Sequence, residues 1–317
     1  MSGRALVSKA LVFDAVSSAG RDAAEIAGLF WVMITGAAVI WLVVTAFALH
    51  AARSRRSQWS ERAGLLLIAI GGVVIPMVVL TALLVYGMPS LARQLDSSDK
   101  ASVRVTVVGE QWWWRVRYEM PGGIHTELAN ELRLPRGRMT LVTLASTNVI
   151  HSFWVPALAG KMDMIPGRIT HLTLEPSVSG TYRGVCAEYC GASHARMAFI
   201  VEVMEPDEFE QWLSAQAMPA AAPASDVAAG ASAFLRNGCG ACHSIRGSPA
   251  AATIGPDLTH LGSRRSIAAA SLPNQPDDLA RWITRPDHIK PGALMPPFGM
   301  LPPEQLRAIA TYLRSLQ

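Results

Sequence analysis

The sequence predicts three architectures in series: a two-helix transmembrane hairpin, an all-β domain and a small all-α domain. Three observations carry this. Two long apolar runs without a formal charge lie within the first ninety or so residues. Between about residues 101 and 203 come short β-rich pieces separated by Pro, Gly and Asn turn signals, the spacing of a sandwich or barrel. An Ala- and Pro-rich stretch follows, and the rest reads as helices. The boundaries fall at 1–99, 100–216, 217–226 (a linker) and 227–317. Half of the 317 residues are hydrophobic, and the excess sits in the hairpin. The net charge of +4 comes without a long basic run, which points away from nucleic acid.

The first run, GLFWVMITGAAVIWLVVTAFALH from about Gly28 to His50, covers roughly 34 Å as a helix, enough for a bilayer core. The second extends from about Gly64 to Met88. Their length and lack of charge argue against two buried helices of a soluble core. Between them lies AARSRRSQWSER, with Arg53, Arg55, Arg56 and Arg62. A short Arg-rich loop stays cytoplasmic, which puts both termini and the later domains on the periplasmic side of a bacterial inner membrane. Arg4 and Lys9 precede no apolar h-region before Asp14, so the N-terminus reads as part of the mature chain. Residues 10 to 27 read as an amphipathic helix leading into the first span. Pro76 predicts a kink in the second span. Gly71 and Gly72 admit a neighbouring helix, a packing feature of a larger membrane complex.

The strand candidates are VRVTVVG, WWWRVRYEM, MTLVTLAS, ITHLTLE, TYRGV and AFIVEVM. PDEFEQWLSAQ reads as a closing helix, with Pro206 and acidic residues in its first turn. AMPAAAPAS reads as a flexible tether. PPEQLRAIATYLRSL is an amphipathic final helix.

Four cysteines form two tight pairs, 186/190 and 239/242. Each pair is followed closely by His, which favours metal or haem over disulfides. Cys186-Ala-Glu-Tyr-Cys190-Gly-Ala-Ser-His194-Ala-Arg-Met197 packs two thiolates, an imidazole and a thioether into twelve residues. A mononuclear blue-copper site uses one Cys, two His and a weak Met; a second Cys lets two sulfurs bridge a pair of copper ions. The further His that such a site requires can come from a distant strand end. His151, in NVIHSFWVP, is the best candidate, whereas His171 alternates within a predicted strand and reads as a surface residue. Zinc would have no use for Met197, and a disulfide would leave both His194 and Met197 idle.

C-x-E-x-C-G-x-x-H-x-x-M with an upstream V-I-H-S-F-x-x-P resembles subunit II of the haem–copper oxidases. The resemblance implies a cupredoxin fold (a Greek-key sandwich or barrel) and a mixed-valence dinuclear copper centre, CuA. Cys186 and Cys190 would bridge the coppers, with His151 and His194 as terminal ligands. Met197 and the Glu188 carbonyl would be weak ligands, and the Glu188 side chain would reach a magnesium ion shared with the catalytic subunit. GEQWWWRVRY is a second shared feature. In a strand, Trp113 would face away from Trp112 and Trp114; by resemblance Trp112 matches the aromatic through which electrons enter, while Trp114 and Tyr118 read as packing.

Cys239-Gly-Ala-Cys242-His243 is the c-type haem attachment motif: two thiols for thioethers and a His directly behind them to face the iron. The sixth ligand should be a later soft residue. Met295, in KPGALMPPFG, is the choice, with Met300 the nearby rival; its M-P-x-F context resembles the ligand loop of class I cytochromes c. GPDL at 255–258 matches that all-α class too, implying that the Pro256 carbonyl orients His243. Arg264 is a candidate for a haem propionate. His260 and His288 read as surface residues.

The sequence has no general acid–base dyad, nucleophile or phosphate loop, so oxygen chemistry belongs to a partner. The resemblance implies the electron-entry subunit of a proton-translocating cytochrome c oxidase. It would pass electrons from cytochrome c or a cytochrome bc complex through haem c and CuA to subunit I, where O2 is reduced, in contact with subunit III and membrane lipid. A copper-bearing nitric oxide reductase subunit and a free membrane-anchored electron shuttle are the alternatives; a quinol oxidase subunit would lack these copper ligands. Many family members carry Glu near a proton-uptake path where this chain has Ala69, with Glu61 two turns back, and often Asp where it has Asn148.

Overall fold

Both apolar runs form helices. In the computed structural model, which describes residues 18–53, 60–96, 101–120 and 125–317, α1 spans Arg21–Arg53. The Ser60 hydroxyl accepts the Ala63 N–H at 3.2 Å and starts α2 (Glu61–Ala69), followed by a π-helical turn (Ile70–Val74) and α3 (Ile75–Asp96). Pro76 has no N–H to offer Gly72. The widened turn before it, where the Ile75 N–H reaches the Ile70 carbonyl, accommodates the ring without ending the helix. The expected kink site is thus a π turn, and Ala69 is the residue that leads into it. Large apolar side chains such as Trp41, Leu66 and Val85 are exposed, as helices long and apolar enough to cross a membrane require. Among the described residues, those between 24 and 96 make one compact unit, and 18–23 with those from 101 to 317 make the other.

The amphipathic helix expected over residues 10 to 27 needs correction. Residues 10–17 lie outside the described residues, and Ser18–Gly20 are not helical. The N–H groups of Ala19 and Gly20 donate to the Ala157 carbonyl at 2.8 and 3.1 Å, and Gly20 bridges Pro176. The backbone at Gly20 forms a β-bridge rather than a helical turn, and the helix starts at Arg21.

The β domain has two five-stranded sheets. One contains β1 (Val103–Glu110), β2 (Trp113–Glu119), β3 (His125–Ala129), β5 (Thr140–Ser146) and β8 (Thr170–Leu174) in the order β3-β2-β1-β5-β8. The other contains β4 (Glu131–Pro135), β6 (His151–Trp154), β7 (Met162–Met164), β9 (Gly180–Cys186) and β10 (Ala198–Met204) in the order β4-β10-β9-β6-β7. Parallel pairings of β1 with β5 and of β4 with β10 give the crossed connections of a cupredoxin-like sandwich. Asn130, at φ 62°, turns the chain from one sheet to the other, and its Oδ1 accepts the Trp114 N–H at 2.9 Å.

Alternating inward side chains meet between the sheets. Trp114 sits edge-on to Phe153 (5.9 Å between centroids) and 5.0 Å from Phe199. The Tyr118 hydroxyl ties the sheets together, accepting the Arg133 N–H at 2.7 Å and donating to the Arg133 carbonyl at 2.8 Å. The closing helix α4 (Pro206–Ala217) brings Phe209 and Trp212 against Tyr118.

The C-terminal domain packs α5 (Ala228–Arg236) across α8 (Pro303–Ser315), with α6 (Pro276–Thr284) and α7 (Pro286–Ile289) beside them. The first residues of its link to the β domain are tied down at Arg246, whereas residues 221–226 are exposed. The Ala220 N–H donates to the Arg246 carbonyl at 2.9 Å, and the Arg246 guanidinium reaches the carbonyls of Gln216 and Ala217. His260, expected at the surface, is buried between the Gln317 and Met218 carbonyls, 2.8 and 2.9 Å from its ring nitrogens. His288 is exposed.

The helical domain also rests on the β domain. Arg115 donates to the Thr253 carbonyl at 2.9 Å, the Glu131 carboxylate accepts the N–H groups of Arg265 and Ser266, and Glu202 pairs with Arg265 and Arg133. Burial raises the Glu202 carboxyl, but the Arg265 hydrogen bond and the Arg133 charge outweigh it and hold its pKa below the ordinary glutamate value of 4.5. A lowered folded-state pKa contributes stability above the unfolded value that is lost as pH falls through the folded one. E202Q should therefore melt below the unaltered chain at pH 7, and the gap in Tm should close as the pH drops below 4.5. Glu131, pushed up by burial, has the opposite slope but is common to both proteins and cancels in the difference. Calorimetry of the detergent-solubilised chain checks this; a pH-independent gap would contradict the assignment.

Candidate copper and haem centres

The ends of β6 and β9 and the loop after β9 meet at one end of the sandwich. His151 begins β6, Cys186 ends β9, and Cys190, His194 and Met197 follow in the loop. The two sulfurs lie 3.9 Å apart. Around Cys186 Sγ are His151 Nδ1 at 3.7 Å and the Glu188 carbonyl at 3.1 Å; around Cys190 Sγ are His194 Nδ1 at 3.5 Å and Met197 Sδ at 3.7 Å. The nitrogen of His151 and the two sulfurs all lie within 4.8 Å of one another. All six predicted copper residues thus converge, each sulfur with one imidazole and one weaker donor. This soft, nearly symmetric donor set fits a copper pair better than a closed tetrahedral zinc site.

The surroundings preset this arrangement. His151 is fully buried, and a Cβ at Gly109 would lie 2.7 Å from its Cδ2, so only glycine lets β1 pass the ring. Cys186 is held well below the ordinary thiol range by the hydrogen bond from Cys190, against the opposing effect of burial, while Cys190 is pushed up and keeps the shared proton. The Glu188 and Tyr189 side chains are exposed. His171 sits on β8, exposed, beside Thr143 and away from the cluster.

Trp112 is not in a strand. Gln111 and Trp112 form the β1–β2 turn, and both side chains donate to the Cys190 carbonyl, at 2.8 Å from Gln111 Nε2 and 2.9 Å from Trp112 Nε1. Trp113 lies under the Arg115 guanidinium, while Trp114 is fully buried.

In the helical domain Cys239–Ala241 form a 3-10 turn that presents Cys239 and Cys242, both half-buried, with His243 next in line. His243 Nδ1 donates to the Pro256 carbonyl at 2.8 Å, which leaves Nε2 for a ligand. Burial pushes the His243 imidazole pKa down, favouring the neutral ring that binds iron. Met295 is half-buried against the domain core, whereas Met300 is 76% exposed, which favours Met295 over its rival. Arg264 is buried, its Nε without a partner among the described residues, as are Ser266 Oγ and Asn274 Oδ1 nearby. A buried guanidinium short of an acceptor fits an anionic group such as a haem propionate. Sequence reasoning missed Gln111, Ser266 and Asn274, which belong to no spaced motif.

Comparison with known proteins agrees with this geometry. Residues 120–204 match the family described as cytochrome C oxidase subunit II, periplasmic domain, and residues 227–317 match cytochrome c. These domains imply a copper centre and a haem. The chain is 34% identical over 244 residues to cytochrome c oxidase subunit 2 of Alkalihalophilus pseudofirmus, covering 74% of this chain and 70% of that protein. It is 32% identical to the subunit 2 of Bacillus sp. strain PS3 (69% and 64% covered) and 30% identical to that of Bacillus subtilis (67% and 62% covered). The solved periplasmic domain of subunit II of cytochrome oxidase of Bradyrhizobium japonicum is 30% identical over 37% of this chain and 94% of that one, at a TM-score of 0.35. With two apolar helices, a cupredoxin-like domain holding the predicted copper residues and a cytochrome c domain, the chain belongs to the cytochrome c oxidase subunit 2 family.

Proposed function

We propose that this chain is the electron-entry subunit of a terminal oxidase, taking electrons from an outside donor and delivering them to catalytic subunit I for O2 reduction. The observation that carries the reading is the position of Trp112, bonded to the Cys190 carbonyl on one side and met by the cytochrome domain on the other. When bound, a covalent haem c and a dinuclear copper pair supply one-electron carriers. The chain's own residues do the rest. Cys239, Cys242, His243 and Met295 would hold the haem, the Pro256 carbonyl orients the His243 imidazole, and Arg264 would face an anionic group of the haem. Cys186, Cys190, His151, His194, Met197 and the Glu188 carbonyl would hold the copper. A rigid, buried donor set changes little between redox states, which keeps transfer fast.

The exposed Glu188 carboxylate is suited to share a magnesium ion with subunit I. The Arg-rich segment around Arg53 supports an orientation with the redox domains on the periplasmic side of the inner membrane, among lipid and subunit III. Cytochrome c or a cytochrome bc complex is the donor.

M295A tests the order of the carriers. It should lower oxygen uptake driven by reduced cytochrome c at least about tenfold, roughly 1.4 kcal/mol of barrier, while copper absorbance stays intact. Unchanged uptake would sink the placement of the haem before the copper.

A further inference from the structure

One short stretch of the cytochrome domain, Ile289–Gly292, meets Trp112 and the copper loop. Lys290 Nζ donates to the Trp112 carbonyl. The Ser193 hydroxyl donates to the Pro291 carbonyl at 2.8 Å, and Arg196 donates to the Ile289 carbonyl. Gly292, at φ +83°, lies so close to the indole that a Cβ would stand 2.7 Å from its Cη2. Trp112 is therefore engaged at both ends, by Cys190 through its N–H and by Gly292 against its six-membered ring. Three residues beyond Gly292 is Met295.

The Lys290 side chain leaves its own domain to reach Trp112, and only 4% of the residue is exposed. Among the described residues no carboxylate pairs with it. Burial, with the nearby Arg196 charge, pushes its pKa down to about 7 against the opposing effect of Cys190. Burying an amine is costly unless it is hydrogen-bonded, and here the bond to the Trp112 carbonyl, available only when the domain is docked, is what offsets that cost.

We propose that Ile289–Gly292 is a latch that holds the cytochrome domain closed over Trp112, with Lys290 as its positioning residue. Outside donors are thereby kept off Trp112, and each electron enters through the tethered haem. The inference rests on the electron order given above. The transfer it governs moves one electron from reduced haem iron to the oxidised copper centre and no proton.

The test uses the purified, fully loaded oxidase carrying K290M, and separately G292A as a milder wedge. Intact copper and haem spectra establish that each variant is folded. In stopped flow, haem reduction by cytochrome c should be unchanged, while electron passage from haem to copper should slow at least about tenfold, the scale expected of a small misplacement of reacting groups. K290R should restore part of the rate. Independently of activity, the linker at 217–226 should become sensitive to protease in K290M and not in the parent chain. In an M295A background, K290M should open direct reduction of copper by cytochrome c. If K290M and G292A leave both the transfer rate and protease resistance at parental values, the latch is wrong, even where M295A alone still blocks turnover. If M295A alone leaves turnover intact, the electron order itself fails.

Discussion

Replacing Cys190 with serine should empty the copper site and stop electron delivery while leaving the haem reducible by cytochrome c. Three donors are measured from its sulfur: Cys186 at 3.9 Å, His194 at 3.5 Å and Met197 at 3.7 Å. A serine hydroxyl is a hard donor that stays protonated near neutral pH, so it can neither bridge two coppers nor match the soft set around it. Loss of a residue that merely orients a metal ligand already lowers affinity about 10- to 100-fold. Losing a bridging sulfur should exceed this, and copper should not survive purification. Metal analysis and the visible spectrum read the outcome, with H171N as the control that keeps its copper. Retention of a full copper complement by C190S would overturn the bridging role.

Legibility followed the physical range of each interaction. Cys239, Cys242 and His243 could be read directly because two thioethers and an axial ligand need fixed spacing along one strand of chain. Cys186 to Met197 were legible for the same reason, and His151 by the requirement for one more imidazole. Strands β3, β4, β6 and β7 were not expected, since pieces such as HSFW are too short to show alternation. Trp112 was misplaced because WWWRVRY looks like an unbroken strand; only the partner positions in β1 show that Trp113 is the first residue to pair. His260 was misread on composition, because the Gln317 and Met218 carbonyls that hold its ring come from distant parts of the chain. Lys290 and Trp112 stand 178 residues apart, and no local pattern announces such a contact.

Trp114→Ala should unfold the β domain far more readily than any change at Trp112, two residues earlier in the same run. Trp114 is fully buried between the sheets, against Phe153, Phe199 and His151. Truncating a buried Trp to Ala costs about 3–5 kcal/mol. That is a large part of the roughly 5–15 kcal/mol holding a domain together. At a few degrees per kcal/mol, Tm should fall by about 10–20 °C. Trp114→Phe should be much milder, because the Trp114 Nε1 has no hydrogen-bond partner among the described residues and its removal forfeits no bond. Trp112 is only half-buried and donates to the Cys190 carbonyl, so W112F should leave Tm nearly unchanged and act instead on electron passage. Paired melting curves and stopped-flow traces on these variants separate the packing tryptophan from the conducting one. A W112F protein as unstable as W114A would mean that the turn at Gln111–Trp112 supports the fold rather than the electron path.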